Sequence, residues 1–315
     1  LVVWGCKGVT IQGIEIVNPE NSVNGYNVQS SFIIADCEDI LVERCTIRGP
    51  GEASPGEGNA VLVAGVQAQP FLTNNITIRD CLITESHYGI ITAVFQKDTG
   101  VDPNKVVIEG CIFQTGFESA IDIDNALEAV VRDCTITDYK HGIHFAGGNS
   151  LVENCLVIES KEEGFKTDID ENWNSEITGG VVRNCAFVGN GVENPRGGVR
   201  LTDGPIQMEN CIIAGNYGPG VWVTTSSTTD VDAVLDHCDI YQNQGDYQVH
   251  VQIDGDMWAK LTMTNCNVVG DADGINNEMY PEDVVAHHNN VYVDGEAYLF
   301  VTPEDSLSVD PLYVG

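Results

Sequence analysis

Basic residues are the scarcest resource in this chain: fourteen Lys and Arg stand against 47 Asp and Glu in 315 residues, a formal charge of −33. That imbalance excludes nucleic-acid binding by phosphate neutralisation, which requires a basic footprint. No apolar run reaches the roughly 18 residues of a membrane span, and the first residues do not read as a signal peptide. Cys-x-x-Cys is missing, which removes the usual zinc pattern. No Ser/Thr/Pro linker or low-complexity run interrupts the chain, so a single domain over 1–315 is expected. Leu1 in place of Met and the abrupt apolar end Pro311-Leu312-Tyr313-Val314-Gly315 read as a piece processed or excised from a longer, secreted or cell-surface protein.

Cysteine is present, eleven times, and its placement is regular. Cys45, Cys81, Cys111, Cys134, Cys155, Cys185, Cys211, Cys238 and Cys266 all occupy one phrase, such as Arg-Cys-Thr-Ile, Asp-Cys-Leu-Ile or Asn-Cys-Leu-Val, and Asn289 fills the slot in the last repeat. Cys6 and Cys37 form a second register eight residues ahead of it. Successive intervals of 21 to 36 residues mark a solenoid whose coils carry loops of different length. Alternation inside each short strand, with Gly and Asn at the corners, makes it a β-solenoid. The thiols are then small, buried core filling. Stacked Cβ atoms about 4.8 Å apart stand too far from one another for ordinary disulfides, so free thiols are expected.

Aligning the Gly-led strands gives Gly89-Ile-Ile-Thr, Ala120-Ile-Asp-Ile, Gly142-Ile-His-Phe, Gly164-Phe-Lys-Thr, Gly198-Val-Arg-Leu, Gly220-Val-Trp-Val and Gln248-Val-His-Val. Side chains alternate across a strand, so Ile90, Ile121, Ile143, Phe165, Val199, Val221 and Val249 point inward. The outward column reads Leu62, Ile91, Asp122, His144, Lys166, Arg200, Trp222, His250, Asn276. An acidic chain has placed two of its few cations side by side, and a Lys so placed can serve as a general base. An outward Trp offers a ring on which sugars stack; Trp173, in the loop after Lys166, is expected to close over the same groove. Arg196, His250 and Asp122 complete the expected substrate-contacting set. The plainer reading is that Asp–Lys–Arg ladders merely solvate a β-face.

The spacing and the Asn-Cys-x-Ile phrases resemble right-handed parallel β-helix proteins over nearly the whole chain, which implies an all-β, single-stranded helix of about eleven coils. Lys and Arg on neighbouring coils resemble the base and acid of polysaccharide lyase family six, the chondroitinase B and alginate lyase group. That resemblance implies a uronate polymer as substrate, Lys166 abstracting the proton beside the carboxylate and Arg200 assisting departure of the glycosidic oxygen. It also implies a calcium ion acting as Lewis acid, with Asp124, Asp168, Asp170, Glu162 and Glu163 as candidate ligands. The Arg-His-Gly phrase of that family reads Arg200-Leu201-Thr202 here. Three alternatives stand beside the lyase: a C5-epimerase using His144 with Lys166, a hydrolase using Asp122 and Asp124 as paired carboxylates, and a glycan-binding or spacer solenoid without activity.

Overall fold

The computed structural model describes residues 1–17, 30–51, 58–65, 73–94, 103–124, 126–169, 177–225, 230–252, 257–278, 284–299 and 301–306. Short parallel strands and the turns between them make up these residues, and no helix occurs among them. The fold is the expected right-handed parallel β-helix: each coil contributes one strand to each of three sheets, here A, B and C. The chain gathers into two compact units, Leu1–Leu151 with Ile169–Ile177, and Val152–Asp168 with Thr178–Gly315.

In the first unit, sheet A carries Ser30–Ala35, Asn59–Gly65, Ile90–Val94, Ser119–Ile123 and His141–Phe145, each paired in parallel with the next. In the second unit it carries Phe165–Thr167, Val199–Leu201, Val221–Thr224, Tyr247–Gln252 and Asp273–Asn277, paired likewise. The inward column expected from alternation is the core, with Ile90, Ile121, Ile143, Phe165, Val199, Val221, Val249 and Ile275 all fully buried.

The Cys phrase has a backbone cause. The residue before each Cys of the ladder turns the corner between sheets B and C in the left-handed region, with φ of 50–55° at Arg44, Asp80, Asp133, Asn154, Asn184, Asn210, His237 and Asn265, and 62° at Gly110. Asn, Asp and Gly tolerate that conformation best, which is why they recur there. The Cys that follows turns inward, and its thiol donates to the carbonyl two residues earlier, as in Cys81 to Arg79 and Cys266 to Thr264, both 3.2 Å. All eleven thiols are free, and every one but Cys6 is buried. Asn289, in the same slot, donates from Nδ2 to the Met263 carbonyl at 3.1 Å.

A second ladder lies inside the second unit, where Asn190, Asn216 and Asn243 each follow a ladder cysteine (Cys185, Cys211, Cys238) by five residues. Asn190 Nδ2 donates to Asn216 Oδ1 (3.0 Å), Asn216 Nδ2 to Asn243 Oδ1 (2.8 Å), and Asn243 Nδ2 to Gln248 Oε1 (3.1 Å). All four side chains are buried. They satisfy the corner backbone groups that low-dielectric burial would otherwise leave costly.

Several cations are committed to the surface of sheet B. Glu43, Arg79, Glu109 and Arg132 face one another across consecutive coils. Arg79 Nη2 lies 2.6 Å from Glu43 Oε2, and Arg132 pairs with Glu109. Arg183 pairs with Glu153 at 2.7 Å. Two further cations, Lys166 and Arg200, lie in register on sheet A.

Candidate functional site

The site in the second unit is built on four strands of sheet A. Phe165 and Thr167 point into the core and are fully buried, which turns Lys166 outward between them. Val199 and Leu201 do the same for Arg200, Val221 and Val223 for Trp222, and Val249 and Val251 for His250. The register is the one the alignment requires: Lys166 opposite Arg200, Arg200 opposite Trp222, Trp222 opposite His250, His250 opposite Asn276.

Both cations are outward yet enclosed, Lys166 with 13% and Arg200 with 20% of its side chain exposed. Lys166 Nζ lies 3.8 Å from Asp168 Oδ2, on the same strand face two residues on. Arg200 Nη1 donates to Glu163 Oε1 at 3.5 Å, and Glu163 is wholly buried in the turn that precedes the Lys166 strand. Arg196, from the loop before the Arg200 strand, reaches the same turn, with Nε 3.8 Å from Glu162 Oε2 and Nη1 4.0 Å from Glu163 Oε1. Charge is thus nearly balanced inside a strongly acidic protein, with three cations set against three carboxylates.

The aromatic part stacks along the coil direction. The Arg200 guanidinium carbon stands 5.3 Å from the Trp222 ring centre. The Trp222 and His250 rings are nearly parallel, 6° apart with centroids separated by 6.2 Å. Tyr247 lies 4.9 Å from the His250 ring, and His250 Nε2 lies 2.9 Å from Glu278 Oε1. Coils spaced at about 4.8 Å make flat side chains stack on each other rather than lie on the sheet. Arg200 and His250 therefore flank the Trp222 ring, and a ligand arriving from solvent meets its edge. Arg200 Nε and Trp222 Nε1 are buried with no hydrogen-bond partner among the described residues.

The first unit holds a different group on its own strands of sheet A. Ile33, Leu62 and Ile91 succeed one another in the outward column and pack with Ala35 and Ala64 into an apolar cluster. The next two outward residues are Asp122 and His144, opposite each other in register. His144 Nδ1 is 3.1 Å from Asp122 Oδ1, and Asp122 is buried. One ligand atom each from Asp122, Asp124 and His144 lie within 4.8 Å of one another. Asp122 thus meets a histidine on the next coil, with Asp124 close to both.

Trp173 and Asp170 lie outside the described residues. Of the expected calcium ligands in the second unit, Asp168 faces Lys166, and Glu163 faces Arg200 and Arg196. Carboxylates already answered by cations fit a calcium cage poorly. Sequence reasoning does not reveal the Glu163–Arg200 contact, since the two residues are 37 apart and belong to no shared phrase.

A family model described as "Right handed beta helix region" matches residues 59–234 and 178–291. Among solved structures, the chain is similar to the A-module of the Azotobacter vinelandii mannuronan C-5 epimerase AlgE6, with 13% identity, 98% of this chain and 91% of that chain covered, and a TM-score of 0.58. It is similar also to the AlgE4 A-module from the same organism, with 15% identity, coverage of 96% and 90%, and a TM-score of 0.54. An alginate lyase from Paenibacillus sp. aligns over 82% of this chain and 93% of its own at a TM-score of 0.34 and 12% identity. No curated protein sequence matches the chain.

Proposed function

The chain belongs to the right-handed β-helix family, and on that scaffold we propose that the Lys166–Arg200 face acts on a uronate-containing polysaccharide by abstracting the proton beside the carboxylate. The observation that carries this reading is the in-register pairing of Lys166 with Arg200, both outward and both largely enclosed. The similarity to A-modules of mannuronan epimerases, proteins whose named substrate is a uronate polymer, is in keeping with it.

The chemistry assigned to each residue follows from its type. Lys166, as free amine, takes the C5 proton; the released electron pair forms the C4–C5 double bond as the C4–O glycosidic bond breaks. The departing oxygen takes a proton from water. A guanidinium does not surrender its proton near neutral pH, so Arg200 serves charge rather than acid catalysis. It hydrogen-bonds the substrate carboxylate and stabilises the enolate-like charge that builds there, which is electrostatic preorganisation. Glu163 and the Trp222 ring hold its fork in place. Asp168 orients the Lys166 amine, and the Trp222 edge with His250 contacts the neighbouring sugars.

The test is incubation with alginate, pectin and chondroitin in deuterated water, reading ultraviolet-absorbing unsaturated ends and deuterium at C5. Elimination yields unsaturated ends that Lys166→Ala abolishes at unchanged thermal stability. Deuterium uptake without cleavage, also lost in Lys166→Ala, moves the outcome to epimerisation with the same base. Neither signal from any uronate polymer, or signals that persist in Lys166→Ala, defeats the proposal.

A further inference from the structure

The outer face of sheet C in the second unit is nearly free of charge. Its six strands, Leu156–Ile158, Ala186–Val188, Ile212–Ala214, Asp239–Tyr241, Asn267–Gly270 and Asn290–Val293, are paired in register and each buries its central residue. The two residues flanking each buried one lie on the outward side, Ala214 alone among them being buried, and of these twelve only Asp239 carries charge. Its Oδ1 accepts from Asn267 Nδ2 at 2.8 Å. A protein with 47 acidic residues has kept them off this strip. Leu156 and Ile212 are exposed on it, and at its far end Tyr241 and Tyr292 are 38% and 40% exposed. Exposed apolar patches beside polar residues mark interaction surfaces.

Dimensions decide what the strip accepts. Five steps of about 4.8 Å by two side chains about 7 Å apart make a surface on the order of 170 Å². Each partner of a stable protein pair buries about 800 Å², so the strip is too narrow to hold a second copy of the chain. A single extended polymer fits its shape. Tyr241 and Tyr292 occupy the same outward column with Val269 between them, two coils apart or about 9.6 Å, close to the length of two ring sugars in an extended chain. The intervening Val269 keeps the two rings from stacking on each other. Beside that column runs a parallel row of Asp239, Asn267 and Asn290, groups that hydrogen-bond sugar hydroxyls. No Lys or Arg lies on the strip, so a polyanion gains nothing there.

We infer that this face is a second glycan-binding site, taking an extended uncharged polysaccharide laid along the coils, with Tyr241 and Tyr292 stacking on alternate sugar rings. It is distinct in sheet and in charge from the Lys166–Arg200 face, and does not depend on the reaction proposed there.

The experiment is affinity electrophoresis of the whole chain through gels containing hydroxyethylcellulose, glucomannan or xylan, with alginate as the charged comparison. Retardation by at least one neutral glycan, weakened tenfold or more in Tyr241→Ala/Tyr292→Ala at unchanged thermal stability and retained in Lys166→Ala, is the expected result. Retardation by none of them, or retardation equal in the double variant, overturns the inference. So does sedimentation of the wild type as a dimer that Val188→Lys converts to monomer, because a second copy would then occupy the strip.

Discussion

Asn216 sits at the middle of the buried amide ladder, and truncating it tests whether the corners of the second unit are held by side-chain hydrogen bonds. Its Oδ1 accepts from the Asn190 backbone N–H (2.9 Å) and from Asn190 Nδ2 (3.0 Å); its Nδ2 donates to the Phe187 carbonyl (3.1 Å) and to Asn243 Oδ1 (2.8 Å). In Asn216→Ala, Asn190 Nδ2 keeps the Val157 carbonyl and Asn243 Oδ1 keeps the Asn216 N–H. The Asn190 N–H loses its partner, while the Phe187 carbonyl loses Asn216 Nδ2 but keeps its place in the parallel ladder that pairs Phe187 with Ile213. At about 1–3 kcal/mol for the stranded N–H, the variant is destabilised by that amount, which lowers its melting temperature by roughly 2–10 °C. Asn216→Asp sharpens the test, because it keeps the shape but turns an oxygen toward two acceptors. Only the protonated acid can donate there, so the folded-state pKa of the introduced carboxyl lies above its unfolded value. The stability it supports is present at low pH and lost as pH rises through that folded-state pKa. Urea unfolding of both variants and the wild type from pH 4 to 8 reads this directly. An Asn216→Ala cost under about 1 kcal/mol, or an Asn216→Asp deficit that does not change with pH, refutes the reasoning.

Three further outcomes are expected. Native protein treated with an aromatic disulfide reagent releases about one thiol equivalent, from half-buried Cys6, and eleven once unfolded; hydrogen bonding to Cys185 and burial push the Cys211 thiol up to about 12, which keeps it from the reactive thiolate. Hydrogen bonding from Arg79, with Arg44 assisting, holds the Glu43 carboxyl below the usual carboxylate range; its contribution is present above that range and lost as pH falls, so Glu43→Gln flattens the acid limb of the stability profile measured by thermal melting. Glu163→Gln leaves Arg200 without the carboxylate that fixes it; kcat on the responsive polymer falls tenfold or more while circular dichroism is unchanged, and a variant with wild-type kcat removes Glu163 from its positioning role.

Much of this architecture is legible in the sequence because the same local rule repeats. A corner that demands a left-handed residue selects Asn, Asp or Gly, and the next position demands a small apolar plug, so Asn-Cys announces a coil. Strict alternation then carries the outward column Lys166–Arg200–Trp222–His250 without further help. What stays hidden is set between coils by loops of unequal length. Residue type alone offers Glu163 to a metal, and the structure sets it against Arg200 and Arg196. Alternation marks Trp222 as an open platform, and its neighbours in the stack flank it. Asn190, Asn216 and Asn243 do leave a signal, each five residues after a ladder cysteine, and only Gln248, which closes their ladder from a strand of sheet A, lies outside that spacing. The strip of sheet C escapes a motif search because it is defined by the charge that eleven of twelve scattered positions omit.

The buried plug that follows each left-handed corner has nearly one size along the whole ladder. Any turn so built offers its neighbours the same floor and the same ceiling. At this corner a turn can be added or lost without refitting its neighbours, whereas five residues further on the interior is fitted coil by coil, as where Gly116 leaves room for the Tyr139 ring.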